Sequence, residues 1–188
     1  MKKIFTLLFL LQLYGGFAQE QAAYFLSDPS ISPDGQLVVF SYEGDLWKVA
    51  VEGGLATRLT GLEGVESRPR ISPDGKWLAF SSNQYSSQDI FVMPLAGGEI
   101  RQLTYHQASD DLESWSWDSQ KLYFSSDRYN RFSSYEISLN GGTPKRLFPH
   151  YFNNIHNVCW HPNGQEVYFN ESWESKYSPN RKRYKGPY

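Results

Sequence analysis

The sequence of 188 residues has a single cysteine, Cys159, so no internal disulfide can hold the fold together. Its 18 Lys and Arg and its 20 Asp and Glu give a formal net charge of −2, and no charge imbalance indicates a nucleic-acid partner. Beyond the N-terminal segment it also lacks the long runs of Ala, Leu, Glu and Lys that build helices. The remainder is rich in aromatic residues, 16% of the chain, and in turn-forming residues, which is typical of strands joined by tight turns.

The N-terminus has the order of a secretory signal peptide. Lys2 and Lys3 precede an almost wholly apolar run at 4–13, and small residues lead up to Ala18. A membrane span needs about 20 apolar residues, roughly twice the length of this run, so no stable membrane anchor is expected. We predict a signal peptide over 1–18, cleavage near Ala18, and export to a bacterial periplasm or to the outside of the cell.

A turn motif recurs along the chain, each time followed by an apolar run that closes on phenylalanine. The turn is Ser-Pro-Asp-Gly at 32–35 and 72–75, Ser-Trp-Asp-Ser at 116–119 and His-Pro-Asn-Gly at 161–164. The closing residues, spaced by 40, 44 and 45 positions, are Phe40, Phe80, Phe124 and Phe169. Proline presets φ at the second turn position and glycine accepts a positive φ, so the motif predicts a junction between antiparallel strands. Because the third copy lacks both residues, its turn is expected to differ.

Two further signals keep step with the turns. Asp followed by apolar and aromatic residues, at 45–47 and 89–91, predicts a further strand, and a Gly-Gly pair follows at 53–54, 97–98 and 141–142. Each pair leads to a basic residue and a leucine, which indicates a hairpin and a closing strand. Four strands in roughly 44 residues correspond to one blade of a β-propeller. A helical repeat is excluded because glycines and prolines interrupt the chain too often.

The predicted fold is therefore all-β, an incomplete propeller of four-stranded blades with about three and a half blades present. We place a first blade at 19–62, a second at 63–106 and a third at 107–150. A partial fourth blade with a basic C-terminal loop occupies 151–188. Since a propeller closes by packing its last blade on its first, we expect the chain to be a fragment of a longer reading frame.

No residue pattern predicts a complete catalytic site. His106 lies near Asp110 and Asp111, yet no serine stands in a Gly-x-Ser-x-Gly setting, so the histidines are expected to be exposed loop residues. Each turn also carries one side chain with a metal-ligating oxygen: Asp34, Asp74, Asp118 and Asn163. Turn capping explains these four better than a metal site, because separate blades would keep them far apart. No metal and no cofactor are expected.

The cysteine and the tryptophans are predicted to serve packing. Cys159 lies between Val158 and Trp160 in the strand that enters blade four, where a small buried residue is expected. Blade cores and blade contacts are predicted for the tryptophans, with a sugar-binding platform as the alternative: Trp47, Trp77, Trp115, Trp117 and Trp160.

A basic segment near the C-terminus is the candidate binding site. Its four cations, which are interleaved with an aromatic residue, are Arg181, Lys182, Arg183 and Lys185. They are candidates for contact with a peptide or with another domain of the same protein. A solvated loop between strands is the alternative, and attraction to nucleic acid or anionic lipid is a further one, although an exported protein rarely meets nucleic acid.

Over about residues 24–170, the repeat resembles the TolB-type blade, which recurs in TolB, in tricorn-type proteases and in the propeller caps of prolyl-oligopeptidase relatives. Segments 42–49, 64–70 and 103–106, together with the basic segment 181–186, are similar to bacterial tricorn protease homologues. This resemblance implies the N-terminal propeller of a secreted or periplasmic tricorn-like serine protease. It also implies that the chain itself has no catalytic residue.

The same resemblance implies the partners. They are a peptide or protein substrate, which the propeller would gate or guide, and the remaining propeller, PDZ-like and protease domains of the same protein. A homo-oligomer is left open. Two other interpretations remain: a TolB-like propeller that binds protein without chemistry, and the propeller cap of a prolyl-oligopeptidase-like hydrolase.

Overall fold

The computed structural model describes residues 26–129, 133–148 and 154–172, and within these ranges it contains strands and turns without a helix. The strands form three four-stranded antiparallel sheets and one two-stranded sheet. The predicted fold class, an incomplete propeller of four-stranded blades, is confirmed. The exact limits placed between the blades stay predictions, and the predicted signal peptide lies outside the described residues.

Each sheet follows the order of the chain, and we call the sheets blades one to four. Blade one contains β1 (Ser27–Ile31), β2 (Leu37–Tyr42), β3 (Asp45–Ala50) and β4 (Thr57–Arg58). Blade two contains β5 (Glu66–Ile71), β6 (Trp77–Tyr85), β7 (Ser87–Pro94) and β8 (Arg101–Gln102). Blade three contains β9 (Asp110–Trp115), β10 (Lys121–Ser126), β11 (Ser133–Ser138) and β12 (Lys145–Arg146). Blade four contains β13 (Asn154–Trp160) and β14 (Val167–Ser172).

The recurring turn joins the first two strands of every blade. In the first copy, the Gly35 amide donates to the Ser32 carbonyl at 2.8 Å, and the Asp34 carboxylate accepts from the Gln36 amide at 3.1 Å. The same side-chain cap is made in the other blades by Asp74, Asp118 and Asn163. The predicted capping role is therefore confirmed.

The third turn keeps this geometry although it lacks both proline and glycine, so the expectation that it differs is wrong. Ser119 takes the glycine position with a φ of 59°, near the 71° of Gly35 and Gly75. A serine is strained in this left-handed region. Its buried hydroxyl, however, accepts a hydrogen bond from the Asp74 amide of blade two at 3.1 Å. The hydrogen bond between blades therefore offsets the strain of placing a serine in this conformation.

Successive blades pack face to face, and their first strands lie next to one another. The second strands supply the centre of the core, where Phe80 and Phe124 are fully buried. One core cluster joins blades one and two, and another joins blades two and three. The first strands are also tied directly: the Ile71 amide donates to the Ser30 hydroxyl of β1 at 3.1 Å. These strands therefore form the inner wall of an arc.

The cysteine does not occupy the predicted buried position, because Cys159 is exposed. The register of β13 shifts at a bulge between His156 and Cys159, where Asn157 has a φ of 56°. An extra residue at a bulge reverses which side chains face inward. Val158 consequently lies in the core at 1% exposure, and the prediction for Cys159 is wrong.

The tryptophans divide between core and surface. Trp115 is buried, and Trp77 and Trp160 pack against the blade cores. Trp47 is half-buried and meets the Tyr42 ring edge-on, with the ring centres 6.1 Å apart. Trp117 is 51% exposed, although its indole nitrogen donates to a backbone carbonyl of blade four. Packing is therefore confirmed for Trp77, Trp115 and Trp160, and Trp117 makes a polar contact between blades.

Candidate functional site

A cavity of about 610 Å³ lies where the first strands of all four blades converge with the recurring turns of blades one to three. Its walls are mainly apolar, with contributions from Ile31, Ile71, Trp115 and Val158. Ligand pockets in proteins commonly have such volumes, with apolar walls and few polar groups. Three of its polar side chains come from equivalent positions of the repeat, two residues before a turn: Arg70, Ser114 and Cys159.

Glu113 joins blades three and four at the edge of this cavity. Its carboxylate accepts the backbone amides of Asn157 at 2.6 Å and Val158 at 2.9 Å. The bulge in β13 presents these two successive amides to one side chain. Burial raises the pKa of Glu113, which is only 8% exposed, although both amide bonds favour the charged form. Both carboxylate oxygens are thereby engaged with the neighbouring blade.

Arg70 spans the gap between blades two and three. Its Nε donates to the Glu113 carbonyl oxygen and its Nη1 to the Pro69 carbonyl oxygen, each at 3.0 Å. Burial lowers the pKa of Arg70, but a guanidinium remains protonated in proteins. Within the described ranges, no carboxylate oxygen lies within 4.0 Å of this guanidinium. The cavity wall therefore carries a positive charge without an ion-pair partner among the described residues.

Buried acids recur in the loops and strands away from the cavity. Glu66, at 0% exposure, accepts the Thr60 hydroxyl at 2.9 Å, and the same Thr60 oxygen accepts the Leu46 amide at 2.8 Å. In blade two, Thr104 takes the position of Thr60, but its hydroxyl donates at 3.1 Å to Asp89 in the third strand of its own blade. Burial raises the pKa of Glu66 and of Asp89. These pairs fasten the chain that follows the short fourth strands of blades one and two, so their role is structural.

The sequence analysis did not single out these buried pairs, but a signal for them exists. A threonine follows the leucine of the closing strand at Thr60 and at Thr104, and the third copy has Phe148 there instead. A threonine in phase with the repeat indicates a shared hydrogen bond, because its hydroxyl can donate and accept at once.

The imagined Ser-His-Asp group is not assembled. His106 is exposed, and its Nδ1 accepts a hydrogen bond from the Ala108 amide at 3.0 Å. Asp110 pairs with Arg128, and Asp111 lies 3.5 Å from Arg68. Across the described part of the chain, no cluster of three His, Cys, Asp or Glu residues is arranged to hold a metal ion. The basic segment with Arg181, Lys182, Arg183 and Lys185 lies outside the described residues.

Four-stranded blades around a central cavity define the class of protein, a β-propeller. The model of the tricorn protease N-terminal beta propeller domain matches residues 23–187. The chain therefore belongs to the tricorn N-terminal propeller family. In the described ranges, no helix has the length and apolarity required to cross a bilayer.

Individual relatives match on shorter segments. Tricorn protease homolog 1 of Streptomyces coelicolor is 35% identical over 88 residues, which are 47% of this chain and 8% of that protein. The Tol-Pal system protein TolB of Francisella tularensis is 36% identical over 84 residues, 42% of this chain and 19% of that protein. The chain thus spans less than a fifth of these two curated relatives.

A solved structure shows the same fold. The putative TolB of Agrobacterium tumefaciens superimposes with a TM-score of 0.71 at 24% identity, covering 78% of this chain and 54% of that chain. At this identity the likeness supports the propeller architecture and no particular activity.

Proposed function

We propose that this chain is the N-terminal propeller segment of an exported, tricorn-like serine protease, and that it guides or gates peptides toward a catalytic core outside these residues. The observation that carries the proposal is the family match over residues 23–187. The similarity to Tricorn protease homolog 1 is a second observation in its favour. The central cavity supplies a place where a peptide could lie.

The proposed role is physical rather than chemical. His106, Asp110 and Asp111 do not assemble into a Ser-His-Asp group. The proposed role is therefore to bind peptides and to restrict their access. An inner wall built from strand backbones, apolar side chains and the Arg70 guanidinium suits an extended peptide. The basic segment around Arg181 and Lys182 would add positive charge for peptide carboxylates, or would contact a following domain.

The basic segment can be tested in the longer protein. Replacing Arg181, Lys182, Arg183 and Lys185 with glutamine should raise KM for peptides, because charge attraction is lost, and should change kcat little. Peptides with amidated C-termini serve as the control, since they have less charge to lose. Unchanged turnover of all peptides would dismiss this segment as a peptide contact.

The export proposal has a separate test. The mature protein, purified from a periplasmic or extracellular fraction, should begin at Gln19 by N-terminal sequencing. A protein that retains Met1 in the cytoplasm would overturn export without affecting the propeller assignment.

A second function is a TolB-like propeller that docks a partner protein and does no chemistry, and the similarity to TolB favours it. Peptide hydrolysis by the intact protein distinguishes the two functions. The intact protein should hydrolyse peptides under the first, and should form a stoichiometric protein complex without hydrolysis under the second. A prolyl-oligopeptidase-like parent would be recognised by a Gly-x-Ser-x-Gly nucleophile in a following domain.

A further inference from the structure

The cavity wall contains a cation that does not use all of its hydrogen-bond donors within the described residues. A guanidinium has five N–H donors, and Arg70 uses one at Nε and one at Nη1, both toward backbone carbonyls. The remaining donors, including both on Nη2, have no acceptor in the described part of the chain. Arg70 therefore retains a hydrogen-bonding edge that is free for a ligand.

The nearest acid in the cavity wall does not neutralise this charge. The Glu113 carboxylate is committed to the Asn157 and Val158 amides of blade four. The hydrogen bond from Arg70 to Glu113 goes to the backbone carbonyl and not to the carboxylate. The Asp28 carboxylate raises the pKa of Arg70 without forming an ion pair within 4.0 Å, so it offsets only part of the charge. A partly buried charge without a direct ion-pair partner is costly, and an incoming anion offsets that cost. The charge arrangement thus favours a negatively charged ligand over a neutral or positive one.

The walls beside Arg70 narrow the class of anion. Ile71, Trp115 and Val158 make one side apolar, so the occupant should carry apolar groups next to its charge. Planar carboxylates match the two-pronged geometry of a guanidinium. A cavity of about 610 Å³ holds a few amino-acid residues.

We propose that this cavity is a carboxylate-binding site, in which the free edge of Arg70 receives a carboxylate of an apolar peptide. The carboxylate comes either from the C-terminus or from an acidic side chain. The site rests on the geometry of Arg70 and holds whether the propeller serves a protease or a partner protein. A peptide-hydrolysis assay does not report on it, so the two proposals can fail separately.

The test uses the full chain and three synthetic probes. These are N-acetylated trileucine with a free C-terminus, the same peptide as its C-terminal amide, and an amidated peptide with glutamate as its last residue. Binding is followed by tryptophan fluorescence, since Trp115 and Trp117 line the cavity. At least one carboxylate peptide should bind about tenfold or more tightly than the neutral amide, as expected for one charge-assisted contact. Which of the two binds identifies the source of the carboxylate.

Arg70→Gln should abolish the preference for a carboxylate. Arg101→Gln is the matched control, because Arg101 also reaches from blade two to a carbonyl of blade three, that of Leu139 at 3.2 Å, but lies outside the cavity. The control should keep the full preference. Equal affinity for acid and amide in the native chain, or a preference that survives Arg70→Gln, would overturn the proposal.

A second readout needs no variant at residue 70. Cys159 is the single cysteine, is exposed and lines the same cavity, so its alkylation by iodoacetamide reports on occupancy. A carboxylate peptide should slow alkylation several-fold at saturation, and the amide should not. If Arg70→Gln fails to fold, protection of Cys159 from alkylation in the native chain tests the proposal. Protection by a carboxylate peptide supports the site, and no protection overturns it.

Discussion

The contact between Glu113 and blade four offers the sharpest test of how the blades are held together. Its carboxylate accepts two backbone amides, at 2.6 and 2.9 Å, from a strand of the neighbouring blade. Glu113→Ala leaves both amides without this acceptor. Each loss costs about 1–3 kcal/mol, and removal of the penalty for burying the charge offsets part of it. We expect a net loss of about 2–3 kcal/mol between blades three and four.

The assay is native-state hydrogen exchange of the amides in β13 and β14 other than those that bond Glu113 directly. A loss of 2–3 kcal/mol corresponds to exchange about 30- to 160-fold faster. Glu136→Ala is the control within the same blade, because Glu136 only pairs with the half-exposed Lys121 at 3.2 Å. Such a pair contributes about 0–1 kcal/mol. Exchange in β13 and β14 that is no faster than in the control would refute the reasoning.

Three further predictions follow from particular contacts. Ser119→Ala should destabilise the chain about 1 kcal/mol more than Ser119→Gly, because both variants lose the hydrogen bond to Asp74 but only glycine relieves the positive φ. Urea unfolding measures the difference, and an equal loss of stability in the two variants would contradict the prediction. Gly64→Ala should lower the free energy of unfolding by about 2 kcal/mol more than Gly53→Ala in the same experiment. An added Cβ at Gly64 meets the Asn83 side chain at 2.8 Å, whereas one at Gly53 meets nothing within 4 Å. Similar losses of stability in the two variants would argue against this close approach. Burial raises the pKa of Glu66 above its ordinary 4.5, so the contribution of this group to stability is present at lower pH and is lost as pH rises through the raised pKa. Glu66→Gln should therefore flatten the fall in the urea midpoint with rising pH. An unchanged slope would exclude Glu66 as the source of that fall.

Much of the architecture could be predicted because it is encoded locally and repeated. Each turn caps itself through a residue two positions before the amide it binds, as Asp34 does for Gln36, so the motif is readable without distant information. The apolar runs after the turns similarly identify the buried second strands. Because the turn, the apolar run and the Gly-Gly pair recur in the same order, they predict a four-stranded blade.

Contacts between blades escaped prediction because they join residues about 44 positions apart without a shared motif. Ser119 breaks the turn pattern, yet its bond to Asp74 accounts for the serine. The exposure of Cys159 depends on the bulge at Asn157, and alternation of side chains along a regular strand does not anticipate it.

The cavity was missed for a similar reason, although one signal for it is visible in hindsight. The residue two positions before each turn is Ser30, Arg70, Ser114 or Cys159 in blades one to four, and the last three of these line the cavity. An arginine among small residues at an equivalent position breaks the repeat, and such breaks often mark function. What the sequence could not supply was the commitment of Glu113 to blade four, which leaves Arg70 without an ion-pair partner among the described residues.

The central functional claim is that this propeller serves a peptidase without being one, and peptide hydrolysis tests it most directly. The measurement compares residues 19–188 with the intact protein on the same mixture of unmodified peptides, read by mass spectrometry. We predict that the intact protein cleaves the peptides and that residues 19–188 leave every one of them whole. Cleavage by residues 19–188 alone, or an intact protein that cleaves nothing, would contradict the account.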